Sequence, residues 1–142
     1  MPSARSAIVQ RIKDNAATLP FDTVRGTSNM SAILRQGWAS PACFVYRDSD
    51  IRDDNFRHLE MTKSTYMVVI AVETEEDDGS VEDFTELLTD SLNDVLDGFS
   101  PLGINDLWYS HGKALTDLKR NLLIWAMAYT LEQSSRSSYA EQ

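Results

Sequence analysis

The sequence predicts a single α+β domain, in which a mostly antiparallel sheet of four to five strands carries two main helices on one face. The length of 142 residues is that of one ordinary domain. Residues 4–19 and 80–96 repeat apolar side chains at helical spacing, and residues 65–73 form an apolar, β-branched run typical of a strand. The order of these elements favours hairpin-like pairing of consecutive strands, with both helices burying their apolar stripes against the same side of the sheet.

Residues 4–19 are predicted to form the first helix, because their apolar residues recur at intervals of three and four. Pro20 ends this helix. The apolar stripe consists of Ile8, Ile12, Ala16 and Leu19.

Residues 21–25 are predicted to be a short strand that ends at Gly26, and residues 26–40 a long loop with one helical turn at 30–35. The segment 41–46 begins with proline, which is tolerated at the first residue of a strand, and continues with apolar residues. Residues 47–63 mix both charge signs and are predicted to be a connection.

Residues 65–73 are predicted to be the central strand, because both of its faces are apolar. An acidic turn at 75–79 precedes a helix that Ser80 caps. Gly98 and Pro101 end that helix. Its apolar stripe consists of Val81, Phe84, Leu87, Leu88, Leu92, Val95, Leu96 and Phe99.

The remainder is predicted to contain a strand at 104–110, a turn at 111–113 and a long final strand at 119–132. Residues 133–142 are polar and are predicted to be a flexible tail of the single domain 1–142.

The charge is strongly asymmetric. The net charge is -9, but the stretch between Ser64 and Gly112 has twelve acids and no lysine or arginine, whereas the remaining ten acids and thirteen bases leave the rest at +3. Two interpretations stay open: a solvated acidic helix face, or an acidic patch that meets a basic patch on another subunit. Because Asp94 and Asp97 lie near the negative end of their helix, a cation from elsewhere is expected there.

The first residues lack the apolar segment of a secretory signal, and no run is long enough to span a membrane, so a cytoplasmic location is expected. Cys43 is the only cysteine and is expected in the core. An acidic protein is also a poor binder of phosphate backbones.

No pattern indicates an enzyme, a metal site or a cofactor. Ser110 and His111 are adjacent on a predicted strand and should point to opposite faces. His58 and His111 have no cysteines to complete a zinc site. The stretch that begins with residues 48–54 differs from a calcium-binding loop. Counted from Asp48, the sixth position is not glycine, and the twelfth is Leu59 instead of glutamate.

The order and length of these elements resemble the tail terminator (tail-completion) proteins of long-tailed bacteriophages. The features that carry the resemblance span nearly the whole chain. They are the first helix ending at Leu19-Pro20, the strand opener 41–46, the strand 66–73, the helix 81–96 and the closing strand 122–131.

The resemblance implies a virion protein of the tail or neck that forms a hexameric ring. Such a ring caps the tail tube, ends its polymerisation and presents a surface to the head connector, and in contractile tails also to the sheath. DNA only passes through the bore, and no cofactor is involved.

A ring of identical copies would join an acidic helix to a basic surface. The acidic candidates are Glu82, Glu86, Asp90 and Asp94, and the basic candidates are Arg5, Arg11, Lys13, Lys119 and Arg120. Candidates for contacting the tube or a neighbour are Trp38, Arg52, Asp53, Asp54 and Arg57. For Trp38, packing back onto its own domain is an equal alternative.

Three other functions stay open. The chain could be another neck or head-completion protein of the same particles. It could be a small α+β module that binds a metabolite in an apolar pocket. An enzyme is the least favoured, because convergent reactive groups are missing.

Overall fold

The structure is a computed structural model that describes residues 3–35, 37–56, 59–73, 80–103, 105–117 and 122–134. Within these residues lie three helices and five strands. The helices are α1 (Ala4–Asp14), α2 (Met30–Arg35) and α3 (Ser80–Leu96). The strands are β1 (Thr23–Gly26), β2 (Ala42–Phe56), β3 (Leu59–Glu73), β4 (Trp108–Asp117) and β5 (Leu122–Ser134).

The five strands form one sheet in the order β1-β2-β3-β5-β4. β1 runs parallel to β2, and every other neighbouring pair is antiparallel. β3 lies in the middle, which confirms the prediction from its apolar residues. The α+β class and the mostly antiparallel sheet are confirmed as well.

Both main helices pack on one face of the sheet, as predicted, but the predicted stripes are not fully buried: Phe84 and Leu87 of α3 and Ala16 after α1 are exposed. Ile8 and Ile12 of α1 and Leu92 of α3 are completely buried there, together with Val68 and Ile70 of β3. Burying an aliphatic side chain of this size stabilises the fold by about 1.5–3 kcal/mol. Because alternate residues of a strand face opposite sides, the intervening residues of the sheet form a second apolar layer.

The short helix α2 packs on this second layer. Its Ile33 is fully buried beside Phe44 and Val69, and Met30 and Trp38 pack against the same cluster. The predicted helical turn at 30–35 is thus a helix that closes the other side of the sheet.

α1 ends at Asp14, so the prediction that it extends to residue 19 was wrong. Asn15 leaves the helical conformation at φ -109° and ψ 33°, and its side-chain amide donates to the carbonyl of Arg11 at 2.8 Å. This local bond competes with the helix. Leu19 nevertheless stays buried in the first core.

Residues 47–56 and 59–63 are strand, so their prediction as a connection was wrong. β2 continues to Phe56 and pairs with β3 from Leu59 onward, with irregularities after Arg47 and Asp53. We call residues 47–56 and 59–64 the arm. Its residues are largely polar, so pairing between strands rather than apolar alternation determines its conformation.

β4 begins at Trp108 and continues to Asp117, so the strand predicted at 104–110 and the turn predicted at 111–113 were misplaced. Gly112 lies inside β4 opposite Met127. A Cβ atom there would lie 2.6 Å from the Tyr109 hydroxyl and 2.8 Å from Nε1 of Trp125. Close approach of these side chains, and not a turn, explains the glycine.

β5 spans Leu122–Ser134, and Ser134 pairs with Met61. The predicted tail at 133–142 therefore starts inside a strand, and residues 135–142 lie outside the described residues. Residues 119–121 of the predicted strand also lie outside the described residues. None of the helices in the described ranges is long and apolar enough to cross a membrane.

Candidate assembly surfaces

α3 lies over β3 and β5, on the side of α1 that is nearer to the β4 end of the sheet. The Asn93 amide oxygen accepts a hydrogen bond from the Tyr129 hydroxyl at 3.0 Å. A carboxylate oxygen of Asp97 accepts from the backbone N–H of Tyr109 at 3.0 Å. Burial raises the pKa of Tyr129, so its hydroxyl stays a donor at neutral pH. These two bonds fix which side of α3 faces this end of the sheet.

Two predicted acidic residues lie on that side of α3. Glu86 and Asp90 precede Asn93 and Asp97 by two helical turns, which places them on nearly the same side of the helix. Both are exposed. We call this surface, made of Glu86, Asp90 and the outer edge of β4, the acidic side. Asp94 is also exposed on α3, while the side chain of Glu82 lies outside the described part.

α1 lies over β1 and β2, at the other end of the sheet. Arg5 extends toward β1, where its Nη1 donates to the carbonyl of Thr27 at 3.2 Å and its side chain passes close to Gly26. Lys13 is exposed and follows Arg11 by two residues, so the two project to nearly opposite sides of the helix. We call Arg5, Lys13 and β1 the basic side.

Arg11 is engaged within its own chain. Its Nε donates to the carbonyl of Val95 in the last turn of α3 at 3.2 Å, and its guanidinium lies 5.0 Å from the centre of the Phe99 ring. The cation that the acidic end of α3 led us to expect is therefore supplied by α1. Any role of Arg11 in an interface between copies stays a prediction.

The outer edges of the sheet differ. β4 has β5 as its one partner among the described strands, and Trp108 at its start is 46% exposed. At the opposite end, β1 pairs only with residues 42–45 of β2. Free strand edges offer unpaired backbone groups to another chain. Trp108 was missed as an interface candidate because exposure of a tryptophan on an edge strand has no signature in the sequence.

The arm carries the predicted tube-contact residues Arg52, Asp53 and Asp54, whose side chains lie outside the described part. At its base, Arg47 Nε donates to Asp50 Oδ1 at 2.9 Å. This hydrogen bond holds the pKa of the exposed Asp50 carboxyl below its usual range. Arg57, Lys119 and Arg120 lie outside the described residues.

Trp38 packs against its own domain, which is one of the two alternatives that the sequence left open. Its indole Nε1 donates to the carbonyl of Ile33 at 3.2 Å, and its ring meets Phe44 edge-on at 5.9 Å between centroids. These contacts give Trp38 a structural role in closing the second core.

Ser110 and His111 are closer than predicted. A bulge in β4 between Tyr109 and His111 disrupts the alternation, so Ser110 Oγ lies 3.1 Å from His111 Nδ1. Both side chains are exposed. In the described part of the chain, no group of three or more histidine, cysteine, aspartate or glutamate residues is placed to hold a metal ion. Burial raises the pKa of the Cys43 thiol, as expected of a core cysteine.

A groove of about 470 Å³ runs along the outer surface of α1. Four of the six side chains that line it are polar or charged. The lining residues are Ser6, Ala7, Gln10, Arg11, Asp14 and Phe99. The groove is shallow and open to solvent, whereas a typical metabolite site encloses most of its ligand, so this groove is a poor candidate for one.

The sequence matches no protein-family model and no curated protein sequence. In three dimensions, the chain is similar to a protein chain in the solved structure of the virion of a native gene transfer agent particle. The TM-score is 0.63 and the sequence identity is 12%, over 92% of this chain and 94% of that chain. The two chains therefore share a fold over nearly their whole lengths.

Proposed function

We propose that this chain is a structural virion protein of a phage-like particle, which assembles as a ring at the end of the tail tube. In this role it ends polymerisation of the tube and presents a surface to the head connector. The ring is hexameric, its bore lets DNA pass, and in a contractile tail its rim also meets the sheath. The protein acts in the tail or neck of the particle and catalyses no reaction.

The observation that carries the proposal is the fold shared with a chain of a gene transfer agent virion over 94% of that chain's length. Agreement over almost the whole of both chains favours a related role for the domain as a unit. The element order that resembles tail terminators supports the finer assignment to the tube end.

The charge distribution is compatible with this role. The net charge of -9 repels the phosphate backbone, so DNA would pass through a ring of this chain without binding tightly. Opposite charges on the two ends of the sheet also suit a ring, in which each interface joins two different surfaces.

Electron microscopy of the purified chain mixed with the tail-tube protein of the same particle tests the proposal. We expect tubes of uniform, limited length, each with a ring at one end. Tubes whose length does not depend on the added chain would contradict the termination role.

A second candidate is a head-completion or connector protein of the same particle. The shared fold points to a virion protein but does not tell where in the particle the protein lies. Co-purification separates the two roles. Binding to the tube protein supports the terminator, whereas binding to the connector alone would transfer the assignment to the neck.

A further inference from the structure

Resting on the ring proposed above, we propose that the acidic side of one copy packs against the basic side of a second copy. The contact joins α3 and β4 of the first molecule to α1 and β1 of the next. It is a head-to-tail contact between two different surfaces of the same chain.

The positions of α1 and α3 over the sheet make this contact possible. α3 lies over β3 and β5, and Asp97, the residue after its end, accepts a hydrogen bond from the backbone N–H of Tyr109 in β4. Arg5 of α1 bonds beside β1 at the other end of the sheet. Two copies placed side by side in the same orientation therefore bring the α3 of one next to the α1 of the other. β4 runs opposite to β1 and β2, so the two adjoining strands would be antiparallel.

The charges are complementary in that arrangement. The acidic side presents the exposed carboxylates of Glu86 and Asp90, and the basic side presents the exposed Arg5 and Lys13. Complementary charges of this kind select the partner and fix its orientation. Two acidic sides would repel each other, which disfavours a symmetric dimer through the same surface.

The edge of β4 adds an uncharged component to the contact. Trp108 is 46% exposed at the start of this strand, and tryptophan is enriched among the residues that dominate binding energy. Among the described strands, β4 pairs with β5 alone. The backbone groups on the outer edge of β4 therefore face the neighbouring copy in the proposed contact.

Cysteine cross-linking tests the contact directly. One population carries Lys13→Cys and another carries Asp90→Cys, so each molecule has one accessible thiol; the native Cys43 is fully buried. A short bis-maleimide should link the two populations when they are mixed and should leave each population unlinked by itself. Arg35→Cys mixed with Asp90→Cys is the matched control, because α2 lies on the other face of the sheet.

Charge reversal gives an independent test. Lys13→Glu should weaken association between copies by roughly tenfold, and Asp90→Lys by a similar factor. Mixing the two variants should restore association between them. Arg35→Glu makes the same charge change on the other face and should have no effect, and circular dichroism verifies that each variant is folded.

The outcomes separate this inference from the function on which it rests. If copies associate, alone or on tubes, without a link between positions 13 and 90, the contact is wrong while tube capping stands. If the link forms but tubes are not capped, the contact stands and the capping role falls. Links within the Asp90→Cys population alone, or no association even on tubes, overturn the contact.

Discussion

At the scale of single residues, Gly112 lacks a side chain, and this allows Tyr109 and Trp125 to pack close to its backbone. The Tyr109 hydroxyl and Nε1 of Trp125 approach the position that a Cβ atom would occupy. The sequence alone favoured a turn here, because glycine is common in turns and the close approach of Tyr109 and Trp125 depends on how β4 and β5 pair. Only the three-dimensional arrangement distinguishes the two reasons for a glycine.

We expect Gly112→Ala to destabilise the fold by about 1–3 kcal/mol, because the new methyl group clashes with two aromatic side chains. Denaturant unfolding measures this change. Gly37→Ala is the matched control: a Cβ atom added there would have no neighbouring atom within 4 Å, and the free energy of unfolding should change little. Equal effects at both positions would contradict the packing explanation.

Asp50 permits a second test, at the base of the arm. Its pKa is held below the usual range by Arg47. The ion pair should therefore contribute to stability above the pKa of an unfolded aspartate, about 3.9, and lose that contribution as the pH falls through the lower folded value. Arg47→Gln should return the pKa of Asp50, followed by NMR titration, to its ordinary range. An unchanged pKa would mean that another group causes the shift.

At the scale of elements, a helix or strand could be predicted from the sequence when its own residues determine its conformation. α3 and β3 could be predicted because most of their apolar residues are buried, although Phe84 and Leu87 of the predicted α3 stripe are exposed. The arm could not, since its polar strands are determined by pairing with β3. The candidate surfaces divide in the same way. The charges of Glu86 and Asp90 follow directly from the sequence. The direction in which they face depends on hydrogen bonds to β4 and β5, which are far from them along the chain.

Arg11 connects α1 to the end of α3, and its removal should be measurable. Arg11→Met keeps much of the apolar stem but loses the hydrogen bond to Val95 and the cation over Phe99. We expect a loss of about 1 kcal/mol in the free energy of unfolding. Lys13→Met, two residues away on the exposed surface, should cost much less when both are compared at concentrations where the protein is monomeric. Equal losses would show that the contact with α3 contributes little.

At the scale of the whole molecule, the fold places two carboxylates of α3 and two bases of α1 toward opposite ends of one sheet. A net charge of -9 would by itself suggest that identical copies repel. With acids beside β4 and bases beside β1, the same molecule can attract a copy that approaches in the right orientation. The contrast between the acid-rich stretch and the rest of the chain could be seen in the sequence, but its alignment with the sheet could not.

Association between copies should therefore weaken as ionic strength rises. The screening length falls from about 10 Å at 0.1 M salt to about 3 Å at 1 M. Sedimentation velocity across this range should show the assembled fraction decreasing, and Arg35→Glu should follow the same curve as the unmodified chain. An assembled fraction that grows with salt would mean that apolar contacts dominate the interface.

The position of β5 between β3 and β4 has a consequence for how the protein is made. β4 precedes β5 in the chain but touches the rest of the sheet only through it. A ribosome that has completed β4 has not yet supplied its partner, so the nascent chain lacks this end of the sheet. Pairings such as Met61 with Ser134 also close long loops, which slows folding. The edge that receives a neighbour in the proposed contact is therefore built late, so that contact would form only after β5 has joined the sheet.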